Sequence, residues 1–273
     1  MKSSENFDTV AFATDVRRLV LQVCHQKQTA HLGSALSVID MLSVLLLEEI
    51  RQPLSGMDKD KGDFLLLSKG HAALALYSCL YKLGFLSEDQ LNSFSDPGSI
   101  LEEHPNHYIP TVPFPTGSLG HGLPLGCGLA LGAKIKKLDR RVFVVMSDGE
   151  CNEGTVWEST QFARTKNLDN LYVLVDHNKL QATGSIAESL SDISLAANFT
   201  SFQWNVKEVE GHDHLSIIHA LKHMPNNGRP NALICHTIKG KGVSFMEHDN
   251  NWHYKSPNSE ELNKALIELT LDA

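Results

Sequence analysis

Apolar residues return at helical spacing early in the chain: Val16, Leu19, Val20 and Val23 form one stripe, and Ala35, Val38, Ile39, Leu42, Leu45 and Leu46 form another. Two helices packed on a core are predicted there. The pattern then changes to short, solid apolar runs at Phe64 to Ser68, Arg141 to Met146, Leu171 to Asp176 and Ala232 to Ile238. Runs of this length predict strands buried on both faces. Helix-sized segments lie between them, including Gly122 to Lys137 and Gly154 to Lys166. Strand and helix thus alternate over most of the chain, with no repeat, low-complexity tract or Pro/Ser-rich linker. This predicts one α/β domain over residues 1–273, built on a doubly wound parallel sheet. Such sheets bind ligands beyond the carboxyl ends of their strands, so the residues just after each run are where chemistry is expected.

Composition narrows the function classes. Lys and Arg total 24 against 32 Asp and Glu, a net charge of −8, and no basic stripe is present, which argues against a nucleic-acid partner. The longest uncharged stretch is broken by glycines, so no transmembrane helix and no membrane partner are expected. The start, MKSSENFDTV, has no apolar leader core, and a cytoplasmic protein is expected. Cys24, Cys79, Cys127, Cys151 and Cys235 lie at least 24 positions apart, so they are read as reduced, buried thiols rather than disulfide or zinc partners. The 14 histidines are an excess that calls for a cause.

After the run ending at Met146 comes Ser147-Asp148-Gly149-Glu150-Cys151-Asn152-Glu153-Gly154, leading into a helix. A carboxylate at a strand end, a glycine open to close approach and a helix N-terminus suit a divalent cation with a phosphate. The next run ends at Asp176-His177-Asn178-Lys179-Leu180, placing Asn178 30 positions after Asp148, about one βαβ step. Taken singly, Asp148 could simply cap a helix and Asn178 turn a loop; the spaced pair points to a ligand.

This arrangement resembles the thiamine diphosphate motif, with Ser147 in place of its first glycine, and the surrounding residues resemble the N-terminal half of transketolases along nearly the whole chain. The resemblance implies a thiamine-diphosphate-binding fold in which Asp148, Asn178 and the carbonyl of Leu180 hold Mg²⁺ or Ca²⁺ against the diphosphate of the cofactor. Gly149 and Glu150 fall within the same motif and are assigned to the cofactor. Four further stretches carry the likeness. His31 and Ser34, within Thr29 to Ser34, match a substrate-contacting histidine and a position near the cofactor, although Ala30 and Leu32 replace the usual Gly and Pro. Ser68-Lys69-Gly70-His71-Ala72 matches a stretch whose histidine meets the diphosphate. His104-Pro105 and Thr116 to Gly122 match segments in which Gly117, Ser118 and Leu119 face the aminopyrimidine, with His121 replacing a Gln. Lys239 and His253, fourteen residues apart, match a lysine and histidine near the diphosphate.

The histidine excess then has a cause, since imidazoles can bind sugar hydroxyls and shuttle protons near neutral pH. His31, His71, His104 and His253 are the expected catalytic histidines. His25, His107, His177, His214, His219, His223, His236 and His248 are read as structural or surface residues. A zinc site at His212-Asp213-His214 lacks a third ligand at useful spacing, and Asp213 is expected to cap a helix there. Glu153 is assigned to the cofactor region as a buried carboxylate near a subunit contact. The implied activity is ketol transfer: the cofactor attacks a ketose, the C2–C3 bond breaks, and two carbons pass to an aldehyde. A sugar or sugar-phosphate substrate follows.

Transketolases continue through a pyrimidine-binding domain that supplies the glutamate activating the cofactor. With 273 residues, this chain is expected to be the N-terminal subunit of a split transketolase that requires a partner carrying that domain. Self-association through Gly154 to Lys166 and Gly122 to Gly132, as two copies with two partners, is also expected. A specialised two-carbon transferase with a non-pentose donor stays open, as Ala30, Leu32 and His121 touch the substrate mouth. So does a non-catalytic assembly module, against which the joint presence of Asp148, Asn178, His71 and Lys239 argues.

Overall fold

A computed structural model describes residues 8–51, 61–109, 111–190 and 193–271. Most of the N-terminal stretch read as lacking a leader core lies outside the described residues. In chain order the elements are α1 (Thr9–Lys27), α2 (Leu32–Val44), β1 (Phe64–Leu67), α3 (Ala73–Lys82), α4 (Glu88–Asn92), α5 (Gly122–Ile135), β2 (Val142–Ser147), α6 (Gly154–Thr165), β3 (Leu171–His177), α7 (Ile186–Ser189), α8 (Leu195–Ser201), β4 (Asn205–Glu210), α9 (His214–Lys222), β5 (Asn231–His236) and α10 (Ser259–Leu271). Asp8 caps α1 by accepting from Val10 and Ala11 N–H, and α2 runs on into a π turn at Leu45–Glu49.

The five strands pair in the order β1-β2-β3-β5-β4, every neighbour parallel. Alternation along the strands divides the core in two. Leu65, Leu67, Phe143, Val145, Leu174 and Leu233 pack under α1, α2, α3, α9 and α10. Leu66, Val144, Met146, Val173 and Ile234 pack under α5, α6 and α8. The architecture is the predicted α/β type, a parallel sheet covered on both faces by helices.

Four strands match the apolar runs, and the pattern missed β4. Its sequence, Asn-Val-Lys-Glu-Val-Glu, is half-exposed and charged, as suits an edge strand that must not recruit another chain. The five cysteines are free and buried. Asp213 caps α9 as expected, accepting from Leu215 and Ser216 N–H. Among the described residues no helix is long and apolar enough to cross a membrane.

Because β5 lies between β3 and β4, the exits of β1, β2, β3 and β5 stand side by side. Those four exits build the site.

Candidate functional site

The register pairs Ser147 of β2 with Asp176 of β3, so the next residues of each strand meet. Asp148 accepts from Gly149 N–H through Oδ1 at 2.8 Å and from Lys179 N–H through Oδ2 at 2.5 Å, while Leu180 N–H donates to Asn178 Oδ1 at 3.1 Å. These bonds point the oxygen-rich tips of β2 and β3 into one cavity of about 420 Å³, which Asp148, Asn178 and Leu180 line together with Ser34, Gly149, Glu150 and Lys239.

At the floor lies a hub that sequence reasoning passed over, with Lys69 on the lining and Asp176 behind it. Asp176 is wholly buried and forms an ion pair with buried Lys69; Ser37 Oγ donates to it at 2.6 Å, and Thr237 donates as well. Lys69 Nζ also donates to the Ser34 carbonyl at 3.0 Å. The pair thus ties the exits of β1, β3 and β5 to the first two turns of α2. Burial alone would raise the Asp176 carboxyl, but Lys69 and the hydroxyl donors hold it below the ordinary value.

Glu150 is a second buried anchor. Its Oε1 accepts from Ser68 and, at 2.8 Å, from Gly120 N–H, and its Oε2 accepts from Ser147 N–H at 3.3 Å. Burial raises its pKa despite those bonds. It thereby fastens the Thr116 to Gly120 loop to the β1 and β2 exits. That loop crosses Gly70 so closely that a Cβ there would lie 2.8 Å from Gly117 N. Gly117 itself adopts φ +141°, with His104 Cδ2 at 2.8 Å from where its own Cβ would be.

The four singled-out histidines come together. Ring centroids lie 5.1 Å apart for His31 and His253, 5.5 Å for His31 and His71, 5.8 Å for His71 and His253, and 6.3 Å for His31 and His104. The cluster is fixed by a backbone bond from His31 N–H to the His253 carbonyl at 2.8 Å. Desolvation lowers His31, lowers His71 further with help from the Lys69 charge, and brings His253 down to about 4. These three rings are therefore neutral near pH 7, able both to donate and to accept. Lys239 is buried, its Nζ donates to Asn250 Oδ1 at 2.7 Å, and desolvation and the Lys69 charge bring its pKa down to about 8.

Not every expected residue lies on the lining. Gly117, Leu119, His31, His71 and His253 do, whereas exposed Ser118 does not, and His104 stands exposed at the rim. Glu153 lines the cavity and is exposed in this chain; the carboxylate of the motif that the chain itself buries is Glu150.

The cavity suits thiamine diphosphate with a cation. It offers hard oxygen donors in Asp148, Asn178 and the Leu180 carbonyl, and a cationic wall in Lys239. Two buried polar atoms on its lining, His253 Nδ1 and Gln181 Nε2, have no hydrogen-bond partner among the described residues.

Comparison with known proteins points to the same family. Residues 9–272 match the family model described as transketolase, thiamine diphosphate binding domain. The chain is 35% identical over 255 residues to one of the subunits of the apulose-4-phosphate transketolase of Phocaeicola vulgatus, covering 93% of this chain and 91% of that one. It is 31% identical to a 6-deoxy-6-sulfo-D-fructose transketolase subunit of a Clostridium species, covering 90% of each chain. Among solved structures, the transketolase of Campylobacter jejuni superposes with a TM-score of 0.90 at 26% identity over 96% of this chain, which spans 42% of that longer protein. The motif at the β2 and β3 exits, the sheet that presents it and these matches lead to one assignment: the chain belongs to the transketolase family, as its thiamine-diphosphate-binding N-terminal domain.

Proposed function

We propose that this chain is the N-terminal subunit of a split, thiamine-diphosphate-dependent transketolase that moves a two-carbon ketol unit from a ketose or ketose phosphate to an aldose. The observation that carries this reading is the meeting of the Asp148 and Asn178 oxygen donors with three neutral histidines and Lys239 at the carboxyl end of the sheet. When bound, the cofactor supplies the electron sink for breaking a C–C bond beside a carbonyl. The chain's own groups do the rest. Asp148, Asn178 and the Leu180 carbonyl hold Mg²⁺ or Ca²⁺. Ser34, His71, Lys239 and His253 face the diphosphate, and the Gly117 to Leu119 backbone faces the pyrimidine ring. His31 and His104, toward the rim, bind donor hydroxyls and exchange protons with them. Five buried thiols suit a reducing, cytoplasmic setting.

The names of the Phocaeicola and Clostridium relatives, each that of a single subunit, support a second polypeptide that brings the pyrimidine-binding domain. The exposed face of α5 has open space at Gly128 and Gly132, and Ile135 of α5 and Phe162 of α6 are exposed, which suits self-association through α5 and α6 into two copies with two partners. The purified chain is expected to show negligible ketol transfer and to gain it on mixing with that partner. Turnover by the chain alone would overturn the split reading; a fully active, monodisperse complex of one chain each, seen by light scattering, would overturn the two-fold assembly.

Lys239 adds a pH dependence. A diphosphate binds the protonated amine more tightly, so affinity in the assembled complex is expected to stay level up to about pH 8, where the free amine loses its proton, and to fall above it. Calorimetry across this range on the wild type and Lys239→Met should show the decline only in the former. Parallel curves would remove Lys239 from the diphosphate.

A further inference from the structure

The Gly211-His212-Asp213 stretch after β4 has no place in the site above, yet its side chains reach back toward it. Asp40 of α2 is 4% exposed, and three groups converge on its carboxylate. Arg17 of α1 pairs with Oδ2, His212 Nδ1 lies 2.6 Å from Oδ2, and His214 Nε2 lies 2.9 Å from Oδ1. Each group also has a far side in use. His214 Nδ1 lies 2.7 Å from Thr9 Oγ1, Arg17 Nε donates to the Lys241 carbonyl at 3.2 Å, and His212 Nε2 accepts from Ile238 N–H at 2.8 Å. Ile238 and Lys241 bracket Lys239.

We propose that His212 and Asp40 are positioning residues for Lys239, with His212 locked as its neutral Nδ1–H tautomer. The tautomer follows from the partners. A ring nitrogen that faces a backbone N–H must present its lone pair, so the ring proton sits on Nδ1 and is donated to Asp40. Burial would raise the Asp40 carboxyl, but Arg17 and the two histidine bonds keep it ionised and far below its ordinary value. Arg17 completes the clamp at the other end of the loop.

The clamped loop requires such restraint. Gly240 and Gly242 sit at φ +84° and +93°, and a Cβ on Gly240 would lie 2.2 Å from the Met246 carbonyl oxygen. Two backbone bonds at 3.0 Å hold its middle, Gly240 N–H to the Gly33 carbonyl and His248 N–H to the Lys239 carbonyl. The Ile238 bond to His212 sets the angle at which the chain leaves β5, and with it where the buried Lys239 amine arrives. A displacement of about 1 Å at such a group is enough to cost affinity.

Two substitutions separate the two halves of the imidazole. His212→Asn keeps a donor near Nδ1 for Asp40 and loses the acceptor for Ile238. His212→Gln keeps an acceptor near Nε2 and loses the donor. The affinity arm rests on the proposed diphosphate site; the tautomer and amide-exchange arms do not. In the wild-type chain, long-range ¹H–¹⁵N spectra are expected to show His212 protonated at Nδ1. His212→Asn is expected to speed exchange of the Ile238 amide and to weaken thiamine diphosphate binding in magnesium, in the complex, by about 10- to 100-fold. His212→Gln should stay within a few-fold of wild type on both. An Nε2–H tautomer, or equal effects of Asn and Gln, would overturn the proposal. Should His212→Asn fail to fold, the wild-type tautomer and the Gln variant still decide it. Should the wild type itself bind no thiamine diphosphate, the functional reading falls while the tautomer and the exchange rates still judge the clamp.

Discussion

Lys69→Met is expected to destabilise the folded chain by about 3–5 kcal/mol near pH 7, the cost of leaving a buried charge without its partner. Asp176 is wholly buried and, among the described residues, its carboxylate keeps Ser37, Thr237 and a long 3.4 Å contact to Asn178 Nδ2 once the ammonium is gone. The pH dependence follows from the sign of the shift. In the wild type, the Asp176 pKa is depressed, so its contribution is present above the unfolded carboxyl value and lost as pH falls through the folded one. In the variant, burial is opposed by the remaining hydrogen bonds alone and the folded pKa rises, so the penalty grows with pH and shrinks in mild acid. Urea unfolding at about pH 5 and about pH 7.5 should show the larger difference from wild type at the higher value. A second change, Asp176→Leu, should recover much of the loss by removing the stranded charge. A loss below about 1 kcal/mol at neutral pH would show that the pair is not the fastener of the β1, β3 and β5 exits.

That pair marks the limit of what the linear chain reveals. The sheet was legible because β1, β2, β3 and β5 are solid apolar runs, the pattern of strands covered on both faces. The edge strand β4 was not, because its charges serve the edge rather than the core. The Asp148 and Asn178 pairing was legible because a βαβ step has a narrow range of lengths. Lys69 and Asp176 are 107 positions apart, Lys69 on the cavity lining and Asp176 behind it, and nothing in local spacing signals the pair. Glu150 and Glu153 show the same limit at close range. Two carboxylates in one motif look alike in sequence, and only the turn at Gly149–Asn152 sends the first inward to Ser68 and Gly120 and leaves the second exposed.

Asp148→Ala is expected to weaken thiamine diphosphate binding in magnesium by on the order of 100-fold or more in the assembled complex, above the effect usual for groups that merely orient a metal ligand. The reasoning is electrostatic. A diphosphate beside a buried carboxylate is repelled unless a divalent cation lies between them, so Asp148 favours binding only through the metal. Its sign should therefore reverse when the metal is removed. In chelator, the alanine variant is expected to bind the cofactor no more weakly than wild type, because the repulsion is gone and Lys239 remains. The substitution also releases Lys179 N–H, so Asp148→Asn serves as the control that retains an acceptor at that position without the charge. Calorimetry with and without magnesium on the three proteins gives the cycle. A loss of equal size in both media would mean that Asp148 acts by holding the β3 exit in shape, and the cation site at the β2 and β3 tips would have to be abandoned.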